Sequence, residues 1–340
     1  MELPLIPPEK TEAVARGLGE TFGVTEFEDI RKLLGGLTSC LVFRIVVRGR
    51  PYLLRIIMRS DDPTRHYSNI RVAAEAGIAP HVWYASVEDK LAITDFVNAV
   101  PFPPSDALVR MPAVLRTLHA LPRFAPVPPQ INTSCTFLLH DGAPRDGLLR
   151  AFQAANLVPE DERAEAFARF EQIAATYPLD DANMVSSHND LKPENILFDG
   201  NRAWLVDWEA AMLNDRYADL ACVANYITTD DAEERAYLTA YFGHAPDGYQ
   251  LARFHVMQQV AHLFFAMAYL LFGARGKPLS HAGPAPEFRD FLRRMWAGEI
   301  NMEDDQMKIA YGRTHWARLL DNLQQPRLDE ALRIVAARDR

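Results

Sequence analysis

His188, Asp190 and Asn195 stand in the spacing His-x-Asp-x-x-x-x-Asn within Ser187-His188-Asn189-Asp190-Leu191-Lys192-Pro193-Glu194-Asn195. Asp207 follows at the end of an apolar run, Ala203-Trp204-Leu205-Val206-Asp207. These residue types suit phosphoryl transfer, which needs a group to orient an attacking hydroxyl and oxygen ligands to hold divalent cations on the phosphates. Asp190 can accept the hydroxyl proton. The Asn195 amide oxygen and the Asp207 carboxylate are hard ligands suited to Mg2+. His188 either touches substrate or holds the loop backbone. Lys192 either contacts the transferred phosphate or sits on the solvated rim. Asp199-Gly200-Asn201 between two apolar runs reads as a tight hairpin, expected to fold Asp207 back beside Asn195.

Other elements must position this cluster. Residues 8–22 read as a helix. Cys40–Val47 and Tyr52–Met58, apolar runs around Gly49-Arg50-Pro51, read as a hairpin preceded by another short strand. Asp61–Glu75 has helical spacing and stops at Gly77-Ile78-Ala79-Pro80. Val82–Ser86 and Lys90–Val97 read as two further strands. From Pro101 onward the pattern is mainly helical: 107–120, 146–157, 159–177, 218–227, 231–242, 250–273, 286–297, 303–320 and 328–338. The order predicts an α+β chain, with a small antiparallel-sheet lobe over 1–97 and a larger helical lobe over 98–340.

Composition narrows the class. A length of 340 residues favours two lobes over one core. With 49% hydrophobic and 24% charged residues the chain is globular in character, and its net charge of −9 argues against a nucleic-acid or anionic-membrane partner. Cys40, Cys135 and Cys222 have no paired spacing, which fits a reducing, cytoplasmic setting. The N-terminus lacks the basic start and apolar run of a signal peptide. Val256–Phe272 is the most apolar segment, but it carries Gln258, Gln259 and His262 and reads as a buried helix rather than a membrane span.

Residues 187–221 resemble the catalytic core of the aminoglycoside phosphotransferase and choline/ethanolamine kinase superfamily, whose fold is protein-kinase-like. Val206-Asp207-Trp208-Glu209 is similar to its metal-binding D-[WF]-E motif. Asn214-Asp215-Arg216-Tyr217-Ala218-Asp219-Leu220-Ala221 is similar to its N-D-P-x-x-D-L-A segment, with Arg216 in place of proline. Asp219 is then a structural support for the catalytic loop. Leu34-Gly35-Gly36-Leu37-Thr38-Ser39 resembles the phosphate-facing G-G-L-[TS]-N opening of choline-kinase-like members, which implies that Gly35, Gly36, Thr38 and Ser39 face the nucleotide. In the same resemblance Arg55 grips the α- and β-phosphates, and the backbone around Asp95, Phe96 and Val97 meets adenine. No acid stands within His66–Val72 to pair with Arg55, so its partner is not evident from the sequence. Trp208 and Glu209, with Tyr226, Tyr241 and Trp296, either form a cation-binding acceptor pocket or, for the aromatics, belong to the core.

The resemblance implies a small-molecule kinase: ATP and Mg2+ bind between the lobes and the γ-phosphoryl group moves to a hydroxyl of a small molecule. The glycine-rich opening, Arg55 and Asn214-Asp215 point to a cationic amino alcohol such as choline or ethanolamine. Aminoglycosides or other metabolites are the alternative acceptors. A protein kinase fits less well, because no A-P-E sequence follows Asp207 and the path to Asp219 is short. A nucleotide-binding scaffold without catalysis is the reading from outside the enzymes.

Overall fold

The computed structural model describes residues 5–33, 40–58, 62–126, 135–140, 143–279 and 284–337. Gly35, Gly36, Thr38 and Ser39 lie outside the described residues. The chain divides into two compact units, one of Met1–Val100 with Leu197–Glu209 and one of Pro101–Ile196 with Ala210–Arg340.

The first unit begins with helix α1 (Thr11–Phe22) and strands β1 (Asp29–Lys32), β2 (Cys40–Val47) and β3 (Arg50–Ile57). Helix α2 (Thr64–Glu75) and strands β4 (Val82–Ser86) and β5 (Leu91–Asp95) follow. The strands form an antiparallel sheet in the order β1-β2-β3-β5-β4. The β2–β3 turn sits at Arg48 and Gly49, both with positive φ (51° and 72°). Two such residues make the turn whose twist matches that of the flanking strands. Alternation then places Phe43, Ile45, Leu54, Ile56, Leu91 and Ile93 on one face, where Ala13, Val14 and Leu18 of α1 cover them. Each large side chain buried there contributes about 1.5–3 kcal/mol. On the other side of the sheet Tyr67 of α2 packs with Ile57 and Ala92.

The second unit opens with α3 (Pro104–His119), α4 (Ala143–Ala155), α5 (Glu160–Thr176) and β6 (Met184–Ser187). The hairpin strands β7 (Ile196–Phe198) and β8 (Ala203–Leu205) then carry the chain into the first unit. There the Val100 amide donates to the Phe198 carbonyl at 2.7 Å and the Leu205 amide to the Ile78 carbonyl at 2.8 Å. Strand β9 (Met212–Asp215) returns to the second unit, followed by α6 (Arg216–Ile227), α7 (Asp231–Phe242), α8 (Gly248–Ala274), α9 (Phe288–Trp296), α10 (Asp305–Leu323) and α11 (Pro326–Ala337). β6 and β9 pair antiparallel, with Ser187 opposite Met212 and Met184 opposite Asp215. This pair was not expected from the sequence. β8 also stops at Leu205, before Asp207.

Helix α8 is long and apolar enough to cross a membrane, but 78% of its apolar window is buried within the protein. It packs against α10 at two glycines. A Cβ on Gly273 would lie 2.6 Å from Ile309 and 2.8 Å from the Asp305 carbonyl, and one on Gly312 would lie 2.7 Å from Leu270 and 2.9 Å from its amide nitrogen. Only glycine permits this approach.

Candidate functional site

In the second unit the loop after β6 is fastened at several points. Asp219, in the first turn of α6, accepts the backbone N–H groups of His188 and Asn189, each at 2.8 Å. His119 Nε2 of α3 lies 3.2 Å from the same carboxylate. Burial opposes the charge on Asp219, but the hydrogen bond and charge of His119, followed by the contributions of His188, hold its carboxyl below the usual range. Charge-assisted bonds of this kind are worth about 1.5–3 kcal/mol each. Asn189 adopts φ +68°, a left-handed conformation that asparagine tolerates better than most residues. The Asn189 amide donates to the Ala210 carbonyl at 3.0 Å and its oxygen accepts from Asn214 at 2.5 Å. Thr136 fixes Asn214 in turn, its hydroxyl donating to the amide oxygen at 2.7 Å.

This fastening presents Asp190. Its Oδ2 accepts from Asn195 Nδ2 at 2.8 Å and lies 3.1 Å from Lys192 Nζ. Its Oδ1 has no protein donor among the described residues, and the side chain is 33% exposed. The Asn195 amide also donates to the Asp190 carbonyl at 2.7 Å, which leaves Asn195 Oδ1 as a carbonyl oxygen able to take a cation. Burial works against the Lys192 charge, but Asp190 outweighs it and raises the ammonium above its ordinary value. His188 has no exposed surface, and its Nδ1 faces the Asp190 amide at 3.4 Å. That is the placement of a residue that holds the loop.

The first unit contains the other charged centre. Arg55 on β3 donates to Asp207 Oδ1 at 3.0 Å and also to Glu209 Oε1. Burial opposes the guanidinium charge, but Asp207 and then Glu209 raise its pKa above the normal arginine value. Asp207 has φ +66° and keeps 21% of its side chain exposed. Arg65 Nη2 of α2 donates to the Glu209 carbonyl at 3.0 Å, and Cys40 Sγ lies 3.3 Å from Glu209 Oε1. His66 is buried beside this group, and burial, then the Arg55 charge, push its pKa down to about 4. The ring is therefore neutral, and among the described residues its Nδ1 has no hydrogen-bond partner. Arg55 Nε is likewise buried without an acceptor.

The partner of Arg55, left open by the sequence, is the pair Asp207 and Glu209 rather than an acid of the helix. Glu209 is thus engaged in an ion pair. Trp208, expected to line an acceptor pocket, has no exposed surface, and its indole N–H donates to the Leu205 carbonyl at 3.0 Å. Such a residue supports the Asp207–Glu209 segment from within the core.

The remaining candidates fall as follows. Asp95 ends β5, paired opposite Tyr52, and accepts from Trp83 Nε1 at 2.8 Å. Phe96 and Val97 continue beyond the sheet, partly exposed, with the Arg44 guanidinium 5.6 Å from the Phe96 ring centroid. Tyr226 and Tyr241 are buried, bonded to Tyr311 and His119 respectively, as core aromatics are. No local signal in the sequence points to His119 on Asp219. Asn214 was noted in its motif without its contact to Asn189.

With this geometry in view, comparison with known proteins is direct. Residues 29–255 match the phosphotransferase enzyme family, APH, and the chain belongs to that family. It is an enzyme that transfers phosphoryl groups to hydroxyl-bearing small molecules. No curated protein matches the chain in sequence. Among solved structures, a choline/ethanolamine kinase family protein from Mesorhizobium loti is similar with a TM-score of 0.64 at 19% identity, covering 96% of this chain and 99% of that one. A choline kinase from Cryptosporidium parvum gives a TM-score of 0.63 at 13% identity, covering 96% and 99%. A spectinomycin phosphotransferase, in complex with ADP and spectinomycin, gives 0.53 at 14% identity, covering 89% and 98%. These likenesses establish the α+β kinase-like fold expected from the sequence.

Proposed function

We propose that this enzyme moves the γ-phosphoryl group of ATP to the hydroxyl of a small cationic amino alcohol such as choline or ethanolamine, with Asp190 as the group that orients the hydroxyl. The observation that carries the reading is the asymmetry of the Asp190 carboxylate. One oxygen is fixed by Asn195 and Lys192, while the other has no protein donor and is partly exposed. A carboxylate held in this way can take an acceptor hydroxyl in a hydrogen bond and receive its proton as the oxygen attacks.

The donor sets fit a nucleotide and its metal. Asn195 Oδ1 and the Asp207 carboxylate are the hard oxygen ligands that would hold Mg2+. The unpartnered Nε of Arg55 is a donor suited to a phosphate oxygen, and Glu209 keeps that guanidinium in place. When bound, ATP–Mg2+ supplies the phosphoryl group and the charge neutralisation. Lys192, beside Asp190, is positioned to neutralise charge on the phosphoryl oxygens. The first unit then serves as the nucleotide-binding part of the enzyme and the second carries the catalytic loop and the acceptor.

A cationic acceptor is supported by the similar structures, which include a choline kinase and a choline/ethanolamine kinase family protein. The test is Mg2+-dependent ADP release measured with choline, ethanolamine, thiamine, aminoglycosides and sugars. Turnover with an amino alcohol at the highest kcat/KM is expected. Preference for an aminoglycoside or a sugar would overturn the assignment of acceptor while leaving the reaction class intact.

A further inference from the structure

Helices α6 to α11 of the second unit line a cavity of about 520 Å³ that contains none of the catalytic-loop residues. Tyr269 of α8 is within electrostatic reach of Lys192 and Asp190. Along α8, the cavity residues His255 and His262 precede Tyr269 by fourteen and seven residues, about 21 and about 10 Å of helix. The cavity shares no lining residue with the Asp190 site.

Its charges are unevenly matched. Asp231 and Glu234 are engaged by Arg327 at 2.6 and 3.0 Å, and Asp230 accepts the backbone N–H groups of Ala232 and Glu233 as the cap of α7. Asp321 is exposed at the rim. Arg289 and Arg318 have no carboxylate within ion-pair distance among the described residues. Among the described residues Arg289 donates to the Thr228 carbonyl alone and Arg318 makes no hydrogen bond. Their guanidinium carbons lie 5.4 and 5.5 Å from the centroid of one ring, Phe288. Burial, followed by the Arg318 charge, lowers the pKa of Arg289, so the two cations oppose each other.

Two neutral polar side chains, Asn225 and His255, line the same cavity. Asn225 is 4% exposed and His255 6% exposed. Among the described residues Asn225 Nδ2 is buried without a hydrogen-bond partner, and the buried ring nitrogens of His255 have only the Gln258 side chain beside them. Native proteins rarely leave such groups unmet unless a ligand or water takes them. Burial and the Arg327 charge push His255 down to about 3, so its ring is neutral and offers one N–H.

We propose that this cavity is a second ligand site that binds a small phosphate monoester, with Arg289 and Arg318 on the phosphoryl oxygens and Asn225 and His255 as neutral donors. Donors converging from α6, α8, α9 and α10 suit a tetrahedral dianion better than a planar carboxylate, and paired guanidiniums favour such an oxyanion. The volume falls in the range of small-molecule sites, so it accommodates an organic group as well as the phosphate.

Calorimetric titration of the full chain without ATP or Mg2+ tests this, with glycerol 3-phosphate and inorganic phosphate as probes and glycerol as the neutral control. Saturable binding of the monoester is expected, at least tenfold weaker in Arg318→Gln and in Arg289→Gln, partly restored in Arg318→Lys, and unchanged in Arg55→Gln and Asp190→Asn. Arg318 is half-buried with only a ring contact, so its variant carries the test if Arg289→Gln fails to fold by thermal melt. Absence of saturable binding, or binding lost in Arg55→Gln and kept in Arg318→Gln, overturns the site. Equal affinity for inorganic phosphate overturns the assignment of a monoester.

Discussion

Arg55 of β3 and Glu209 form an ion pair, with side chains only 13% and 16% exposed, and Asp207 shares the same guanidinium. The metal-binding motif proposed at Asp207 therefore contains its own anchor for Arg55, the arginine proposed to meet the phosphates. The helix α2 contributes differently, through Arg65 on the Glu209 carbonyl and the neutral His66.

Glu209→Gln removes that anchor but leaves Asp207. Arg55 then loses its orientation, and kcat/KM for ATP is expected to fall about 10- to 100-fold, or about 1.4–2.7 kcal/mol. The loss should lie mainly in KM for ATP, with KM for the acceptor changing less than twofold. Steady-state kinetics with each substrate varied in turn checks it, and an unchanged KM for ATP would contradict it.

Asp219→Asn puts an amide where two backbone N–H groups need acceptors, so at least one loses its bond. A stability loss of about 2–4 kcal/mol is expected, with kcat reduced more than either KM. The pH dependence follows from the depressed carboxyl of Asp219. Its contribution is fully present above the ordinary carboxylate pKa and disappears as pH falls through the lower native value. Urea unfolding of the wild type between pH 6 and 3 should therefore show a steeper decline at the acid end than the variant does.

Gly312→Ala sets two effects against each other. Alanine improves helix propensity by about 1 kcal/mol. The new Cβ, however, meets Leu270 at 2.7 Å and backbone atoms of α8 at 2.9 and 3.1 Å, which cannot swing away. Overpacking of this kind costs about 1–3 kcal/mol, so net destabilisation is expected in thermal unfolding. A raised Tm would show that α8 and α10 separate easily.

Arg253 is wholly buried and donates to Asp215 Oδ2 at 2.6 Å, to the Pro178 carbonyl at 3.0 Å and to Asp180. Asp215 in turn caps α6 through the Tyr217 amide at 2.9 Å. Arg253→Met leaves the buried Asp215 carboxylate without its cation, with only the Tyr217 amide and the Tyr177 hydroxyl as donors, and should cost about 3–5 kcal/mol. Asp215→Asn in the same chain should recover part of it, which a double-mutant cycle by chemical denaturation would measure. Strict additivity of the two losses would deny the coupling.

Long, periodic elements were legible in the sequence. Val82–Ser86 and Asp231–Phe242 have the expected bounds, and the β2–β3 hairpin and the helices after Pro101 lie within a few residues of expectation. β6 and β9 were not, because Met-Val-Ser-Ser and Met-Leu-Asn-Asp are four-residue segments with little strand character, paired across the intervening loop and hairpin. The motif from His188 to Asn195 announced itself by spacing alone. The partner of Arg55 did not, since an acid 154 residues away is invisible to local pattern. Trp208 stayed open between pocket and core for a related reason: composition cannot tell a pocket aromatic from a core one, and burial places it in the core.

The central claim is that Asp190 orients an acceptor hydroxyl for attack on ATP. Single-turnover transfer from Mg2+-ATP to the best acceptor, compared between wild type and Asp190→Asn with ATP affinity measured in parallel, tests it most directly. A loss of at least about 1,000-fold in the transfer rate is expected, with ATP affinity changed less than about threefold. Transfer that survives in Asp190→Asn within tenfold of wild type would contradict it.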